Sequence, residues 1–216
     1  MTAQIEWLQS SVADEISYPA APWEMVGSMW LTVFRLGSAV DDRHPAGVYA
    51  AAFVTYEEGS PLTYHELVVA RVLNGEGHGR AVTSPDIWVD SPESRAGGRE
   101  LWAIPKELCD FTFDTTHTGP LTTTEWSAAV GRTPIATARF RDVSRVAPRL
   151  PFKGTIWQPG IEDTGGEDRT TPMRGSGRSL PARSHWDINP SGPLGWLARG
   201  RRLATFRQAA FRMSFG

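Results

Sequence analysis

Hydrophobic and polar positions alternate in short runs through most of this chain. LTYHELVVARVL (62–73) is the clearest case: a period of two puts Leu62, Tyr64, Glu66, Val68, Ala70 and Val72 on one face of a predicted strand. MWLTVFRL (29–36) and VYAAAFVTY (48–56) read as strands on either side of the turn cluster DDRHPAG. GEGHG (75–79) reads as a turn, and RAVTSPDIWVD (80–90) resumes extended structure as far as SPESRAGG (91–98). Cys109, Phe111 and Phe113 alternate with Asp110, Thr112 and Asp114. TTTEWSAAV (122–130) and TPIATARFR (133–141), joined by Gly131-Arg132, predict a hairpin, and ATFRQAAFRMSF (204–215) a closing strand. A short helix is expected over 4–12, ended by the two prolines of YPAAPW (18–23). Residues 157–184 carry no periodicity and predict a long loop excursion, a candidate lid. Strands at short spacing with few helical patterns imply a mainly β, β-rich α+β fold, a barrel or sandwich, in one domain over 1–216.

Composition narrows the function classes. A net charge of −2 over 216 residues gives no electrostatic case for nucleic acid or an anionic membrane as partner. No apolar run approaches the roughly 20 residues of a membrane helix, and the N-terminus lacks a basic start followed by an apolar block. One cysteine, Cys109, excludes an internal disulfide, fits a reducing compartment, and sits on the apolar parity of its strand. A cytoplasmic protein is expected. The five histidines are scattered without ligand-like spacing, so no metal and no cofactor is expected. The spacing of Gly75, Gly77 and Gly79 is not a dinucleotide fingerprint.

The choice of cation changes the picture more. Of twenty-two basic residues, twenty are arginine and only Lys106 and Lys153 are lysine. Arginine cannot lose its proton at a working pH, whereas a desolvated lysine becomes a free amine and a nucleophile. Lys106, between Pro105 and Glu107, is either a solvated turn residue with an ion-pair neighbour or a Schiff-base lysine whose iminium serves as an electron sink. Glu66 is the one charge on an otherwise apolar strand face. Desolvation there would raise its pKa toward the range of a proton shuttle, unless it pairs with a cation such as Arg71 or Arg99. MRGSGR (173–178) is either an anion holder, a lid or an ordinary surface loop.

GGRELWAIPKELCDF (97–111) resembles the signature of the acetoacetate decarboxylase-like family, whose members carry a GRE…PK core. A Tyr-x-Glu strand upstream, here Tyr64-His65-Glu66 with Glu66 forty positions before Lys106, is similar too, as are Pro22-Trp23 and the closing FRMSFG. The resemblance implies a cone-shaped β-barrel of strongly bent antiparallel sheet, Lys106 as the Schiff-base lysine, Glu66 as its acid/base partner, and a homo-oligomer. It also departs from the family pattern. Glu107 stands where the decarboxylases carry a second lysine, and no cation precedes Arg35 in the N-terminal strand region 19–34.

A divergent member is therefore expected, acting on a small-molecule carbonyl compound: a ketone, keto acid or aldehyde. Decarboxylase and aldolase or dehydratase chemistry are both open. Lys106 and Glu66 are the expected catalytic pair, with Arg35, Tyr64, Arg99, Glu100 and Trp102 as substrate-binding candidates. Trp88, Phe111 and Trp126 are further candidates for an apolar pocket wall. A nucleophilic Lys106 should titrate well below the ordinary lysine value of about 10.4. The alternatives are a non-covalent small-molecule binder, and a cyclase or isomerase that uses the same pocket without a covalent lysine.

Overall fold

In the computed structural model, the described residues are 16–73, 77, 81–143 and 147–216; the helix expected over 4–12 and most of GEGHG lie outside them. Twelve strands form two sheets. The larger runs β3 (Tyr64–Val72), β2 (Gly47–Tyr56), β1 (Trp23–Leu36), β12 (Arg201–Phe215), β10 (Arg169–Pro181), β9 (Arg149–Gln158), β4 (Ala81–Val89) and β5 (Lys106–Leu108). It closes into a seven-stranded barrel because β3 also pairs with β4, and β5 is an outrigger on β4. Most pairings are antiparallel, but β4 pairs parallel with both β5 and β9. The β4–β9 ladder is only two pairs long, Ala81↔Thr155 and Val82↔Ile156. The buried Gln158 amide extends that seam. Its Oε1 accepts from Thr83 Oγ1 (2.5 Å) and the Ser84 N–H (3.0 Å), and its Nε2 donates to the Ser84 carbonyl (3.1 Å). The second sheet is antiparallel, in the order β11 (Arg183–Ile188), β8 (Thr133–Asp142), β7 (Leu121–Val130), β6 (Asp110–Thr118).

The chain has two apolar cores, and β1 to β3 separate them. Ala52, Val54, Tyr56, Tyr64 and Met25 face the barrel interior. Ala51, Phe53, Leu67, Val69, Trp30 and Phe34 face the second sheet, meeting Trp126, Phe140 and Trp186. A strand covered on both faces has no polar side, which is why VYAAAFVTY reads as one apolar run instead of an alternation. Cys109 belongs to the second core, and burial, with Asp90 and Asp110 nearby, pushes its thiol up to about 12.

One expectation is corrected here. The aperiodic stretch 157–184 is mostly strand: it holds the end of β9, all of β10 and the start of β11, leaving 159–168 as the connection. Its glycines and prolines do not break the ladder because β10 pairs on both sides, with β9 and β12. SPESRAGG, at which the extended stretch is expected to end, forms most of the helix α1 (Pro92–Trp102). Ser91 caps it, accepting from the Ser94 N–H at 3.0 Å, and Pro92 opens its first turn. Ala103, at φ 56°, ends it in the left-handed region, where its N–H reaches the Arg99 carbonyl and that of Ile104 the Gly98 carbonyl, both at 3.0 Å.

Phe53 is fully buried, stacked between Trp126 and Trp186 at centroid distances of 5.2 Å each. Phe53→Ala is expected to cost about 3–5 kcal/mol, measured by urea unfolding. An unchanged midpoint would show that the two sheets do not depend on this contact.

Candidate active site

Helix α1 and strand β5 build the site through two glycines and one change of direction. Gly97 packs on Trp23 and Tyr18, where a Cβ would lie 2.8 Å from the Trp23 ring. Gly98 faces Lys106, and a Cβ there would lie 2.7 Å from Lys106 Cδ and 2.8 Å from Cε. The glycine pair therefore lets the helix lie against the barrel while leaving room for the lysine stem. The left-handed turn at Ala103 then brings the chain back as β5, pairing Lys106 with Ile87 of β4. Strand alternation sends Lys106 inward and Glu107 outward.

Lys106 and Glu66 are both buried, with Nζ 3.2 Å from Oε2. Nζ also donates to Ser94 Oγ at 2.9 Å and to the Tyr64 hydroxyl at 3.3 Å. The other carboxylate oxygen, Oε1, accepts from the Tyr56 hydroxyl at 3.1 Å. Ser94 lies four residues before Gly98 on the same helix face. The sequence reading missed it, and the Ser-Pro-Glu-Ser helix start was the signal that could have raised it. Burial pulls the Lys106 pKa down, but Tyr64 and Glu66 outweigh it and hold the ammonium above the ordinary lysine value. The resting lysine is thus a cation in a buried pair, not the low-pKa amine expected. Burial also pushes up both tyrosines, which remain neutral phenols that donate or accept hydrogen bonds.

Glu107 is not part of this cluster. Its carboxylate is half-exposed and meets Arg99 at 3.2 Å and Arg95 at 3.5 Å, outside the barrel. Its charge is spent on those arginines.

The pair sits in the wall of a cavity of about 350 Å³ inside the barrel. Tyr64, Glu66, Val68 and Ala70 of β3 all line it, in line with the predicted face, as does Trp102, which packs edge-on against Trp23 at 4.8 Å. The other substrate-binding candidates lie elsewhere. Arg35 is exposed at the far end of β1 beside Val48 and Arg201. Arg99 binds Asp163 (2.8 Å) and Glu107 outside the barrel, and Glu100 is exposed, accepting from the Tyr18 hydroxyl at 2.6 Å. Trp88, Phe111 and Trp126 belong to the second core. Among the described residues no arginine lines the cavity, no group of His, Cys, Asp and Glu is placed to hold a metal, and no helix is long and apolar enough to cross a membrane.

Residues 39–162, more than half of the sequence, match the family described as acetoacetate decarboxylase (ADC). The chain belongs to that family. No curated protein sequence matches it. The fold is similar to that of the enduracididine biosynthesis enzyme MppR, solved with the condensation product of pyruvate and imidazole 4-carboxaldehyde. That match has a TM-score of 0.62 at 15% identity and covers 94% of this chain and 89% of the other. An acetoacetate decarboxylase-like enzyme from Sphingomonas wittichii RW1 gives 0.61 at 14% identity, covering 99% and 98%. The acetoacetate decarboxylase of Legionella pneumophila gives 0.58 at 15%, covering 91% and 86%. The three proteins of similar fold are described as enzymes or decarboxylases.

Gly98→Ala and Glu107→Gln are expected to separate inside from outside. The new methyl group of Gly98→Ala forces the Lys106 stem to shift and should lower modification of Lys106 by a carbonyl reagent at least tenfold. Glu107→Gln, outside the barrel, should leave it within twofold. Equal effects of both, read by peptide mapping after reductive alkylation, would contradict this division.

Proposed function

We propose that the cavity binds an apolar ketone or aldehyde and that Lys106 joins its carbonyl carbon as a Schiff base, with Glu66 as the proton carrier. The observation that carries this reading is the buried Lys106 Nζ, 3.2 Å from Glu66 Oε2, in the wall of a mostly apolar cavity. Glu66 takes one proton from the ammonium, and the free amine attacks the carbonyl. Glu66 returns that proton to the former carbonyl oxygen and then relays a second one to it from the nitrogen, so that the oxygen leaves as water and the iminium nitrogen keeps one proton. Positive charge begins on the ammonium and ends on the iminium, with the Glu66 carboxylate beside it at both stages. A site that raises the lysine pKa through a carboxylate therefore also stabilises the iminium, and only the short-lived amine is disfavoured.

The walls narrow the substrate class. Among the described residues no arginine lines the cavity, so no guanidinium fork is there to receive a small keto acid's carboxylate, and Lys153 is the one lining cation besides Lys106. A larger, less polar carbonyl compound fits better. Once formed, the iminium accepts an electron pair from a neighbouring C–C or C–H bond, so lyase chemistry of the aldol, dehydratase or decarboxylase type shares one intermediate. Condensation is supported by the product bound to the similar fold of MppR. A second reading rests on the three partners that occupy Nζ: a non-covalent binder, or a cyclase or isomerase, in which Lys106 only anchors the Glu66 carboxylate.

Incubation with 2-octanone, hexanal or pyruvate, followed by cyanoborohydride and peptide mass spectrometry, separates the two. A chain with only two lysines makes the map simple. The reduced adduct is expected on Lys106 with the apolar carbonyls and to vanish in Lys106→Arg. Its yield should climb with pH, with a midpoint above that of free lysine, because the folded site favours the ammonium. Glu66→Gln removes the charge that favours it, so the midpoint should fall, while turnover drops about 10²–10⁴-fold with loss of the proton carrier. A folded protein that gives no Lys106 adduct at any pH would favour the non-covalent reading.

A further inference from the structure

The cavity wall holds two polar side chains that no described residue satisfies. Apart from two indoles and the cluster around Lys106, the polar side chains lining it among the described residues are Ser84, Lys153 and Gln208. Lys153 is exposed. Ser84 is 4% exposed and Gln208 half-buried, and neither the Ser84 hydroxyl nor the Gln208 amide has a hydrogen-bond partner among the described residues. A polar group taken from water without a partner is costly, and native folds keep few of them.

Both are held in place by their surroundings. Strand alternation puts Val82 and Ser84 on the cavity face of β4. Ser84 lies between the two parallel ladders of that strand, one ending at Val82 and the other starting at Ile87. There the buried Gln158 amide takes both of its backbone groups, accepting from the N–H at 3.0 Å and donating to the carbonyl at 3.1 Å. The backbone is therefore fixed and the hydroxyl is left over. Gln208 of β12 pairs with Met29, another cavity residue. Gly177 makes room for it: a Cβ there would lie 2.6 Å from Gln208 Cγ and 2.7 Å from Nε2. The two groups stand on different walls, since β10 and β9 lie between β12 and β4. Both stand away from the amine. Ser84 comes three residues before Ile87, the partner of Lys106, which is at most roughly 10 Å of extended chain. Gln208 lies seven residues along β12 from Phe215, which packs on Trp102 of α1 at 4.7 Å.

We propose that Ser84 and Gln208 hold uncharged oxygens of the substrate, remote from the carbonyl that meets Lys106. The inference rests on the cavity's being the substrate site, as proposed above, and adds the substrate's class: a carbonyl compound with hydroxyl or oxo groups along an otherwise apolar body. A serine hydroxyl and a primary amide each donate and accept, so either suits a hydroxyl or a carbonyl oxygen. Neither carries a charge, so neither offsets the cost of burying an anion. Selection acts against analogues that lack the oxygen, because these leave the polar groups of the wall desolvated and unpaired.

Isothermal titration of the intact protein compares hydroxy ketones with counterparts in which a methyl group replaces the hydroxyl: 7-hydroxy-2-heptanone with 2-octanone, and 8-hydroxy-2-octanone with 2-nonanone. The methyl compounds are the more hydrophobic, so tighter binding of a hydroxy ketone requires a polar partner in the wall. At least one hydroxy ketone is expected to bind at least fivefold more tightly than its counterpart, in the wild type and in Lys106→Ala alike. The double variant Ser84→Ala, Gln208→Leu should reverse that order while 2-octanone and 2-nonanone bind at least as tightly as before. A single variant that reverses it alone identifies the residue that holds the hydroxyl. Equal or tighter binding of the methyl compound in both pairs would overturn the proposal, as would a hydroxyl preference that survives the double variant. A hydroxyl preference without any reduced adduct on Lys106 would uphold this inference and remove the covalent step, and an adduct without the preference would do the reverse.

Discussion

A buried ammonium beside a buried carboxylate is the constraint to which the rest of this barrel is fitted. Taking both charges out of water costs several kcal/mol per ion, and their attraction offsets that only when the remaining hydrogen-bonding groups are satisfied. Here Ser94 and Tyr64 complete the ammonium and Tyr56 the second carboxylate oxygen. Each comes from a different element: helix α1, β3 and β2. The pair therefore holds three pieces of backbone in one arrangement, and removing one member would leave a naked charge in an apolar interior.

That requirement explains why the α-helix α1 interrupts described residues that are otherwise mostly strand. A strand crossing the barrel end would present side chains at alternate positions, and any Cβ at position 98 would overlap the Lys106 stem. A helix with Gly97 and Gly98 on its inner face approaches closely, carries Ser94 to the amine, and turns back at Ala103 so that β5 enters with Lys106 inward. The cost is the low helix propensity of glycine, roughly 1 kcal/mol each relative to alanine. The Ser91 cap and Pro92 offset part of it.

The same geometry shows which parts of the molecule were legible in the sequence. Period-two runs located most strands to within a few residues, and the face of β3 carrying Tyr64 and Glu66 is the cavity face. The helix was not legible because its glycines, present for packing, read as turn residues. β10 was not legible because glycine and proline depress strand propensity, while pairing on both sides holds it in the sheet. Among the site residues, Lys106, Glu66, Tyr64 and Trp102 share the cavity, whereas Arg35, Arg99 and Glu100 are on the surface. Adjacency to a motif in sequence said nothing of side: Arg99 and Glu100 follow Gly98 by one and two positions, and the helix turns both away from the Lys106 amine, Arg99 reaching the Lys106 backbone carbonyl from outside at 3.4 Å.

Glu107 shows how position converts a charge change into a neutral one. A carboxylate next in sequence to the reactive lysine favours the ammonium if both share a solvent, and strand alternation ensures that they do not. Arg95 and Arg99 lie across from it outside the barrel, and Arg99 is held in turn by Asp163 of the 159–168 connection. The substitution that looked most damaging to the lysine has become part of a surface network tying α1 to β5 and to that connection. The electrostatics that matter to Lys106 come instead from Glu66, across the barrel interior, where the low dielectric makes one carboxylate at 3.2 Å outweigh any charge on the outer surface.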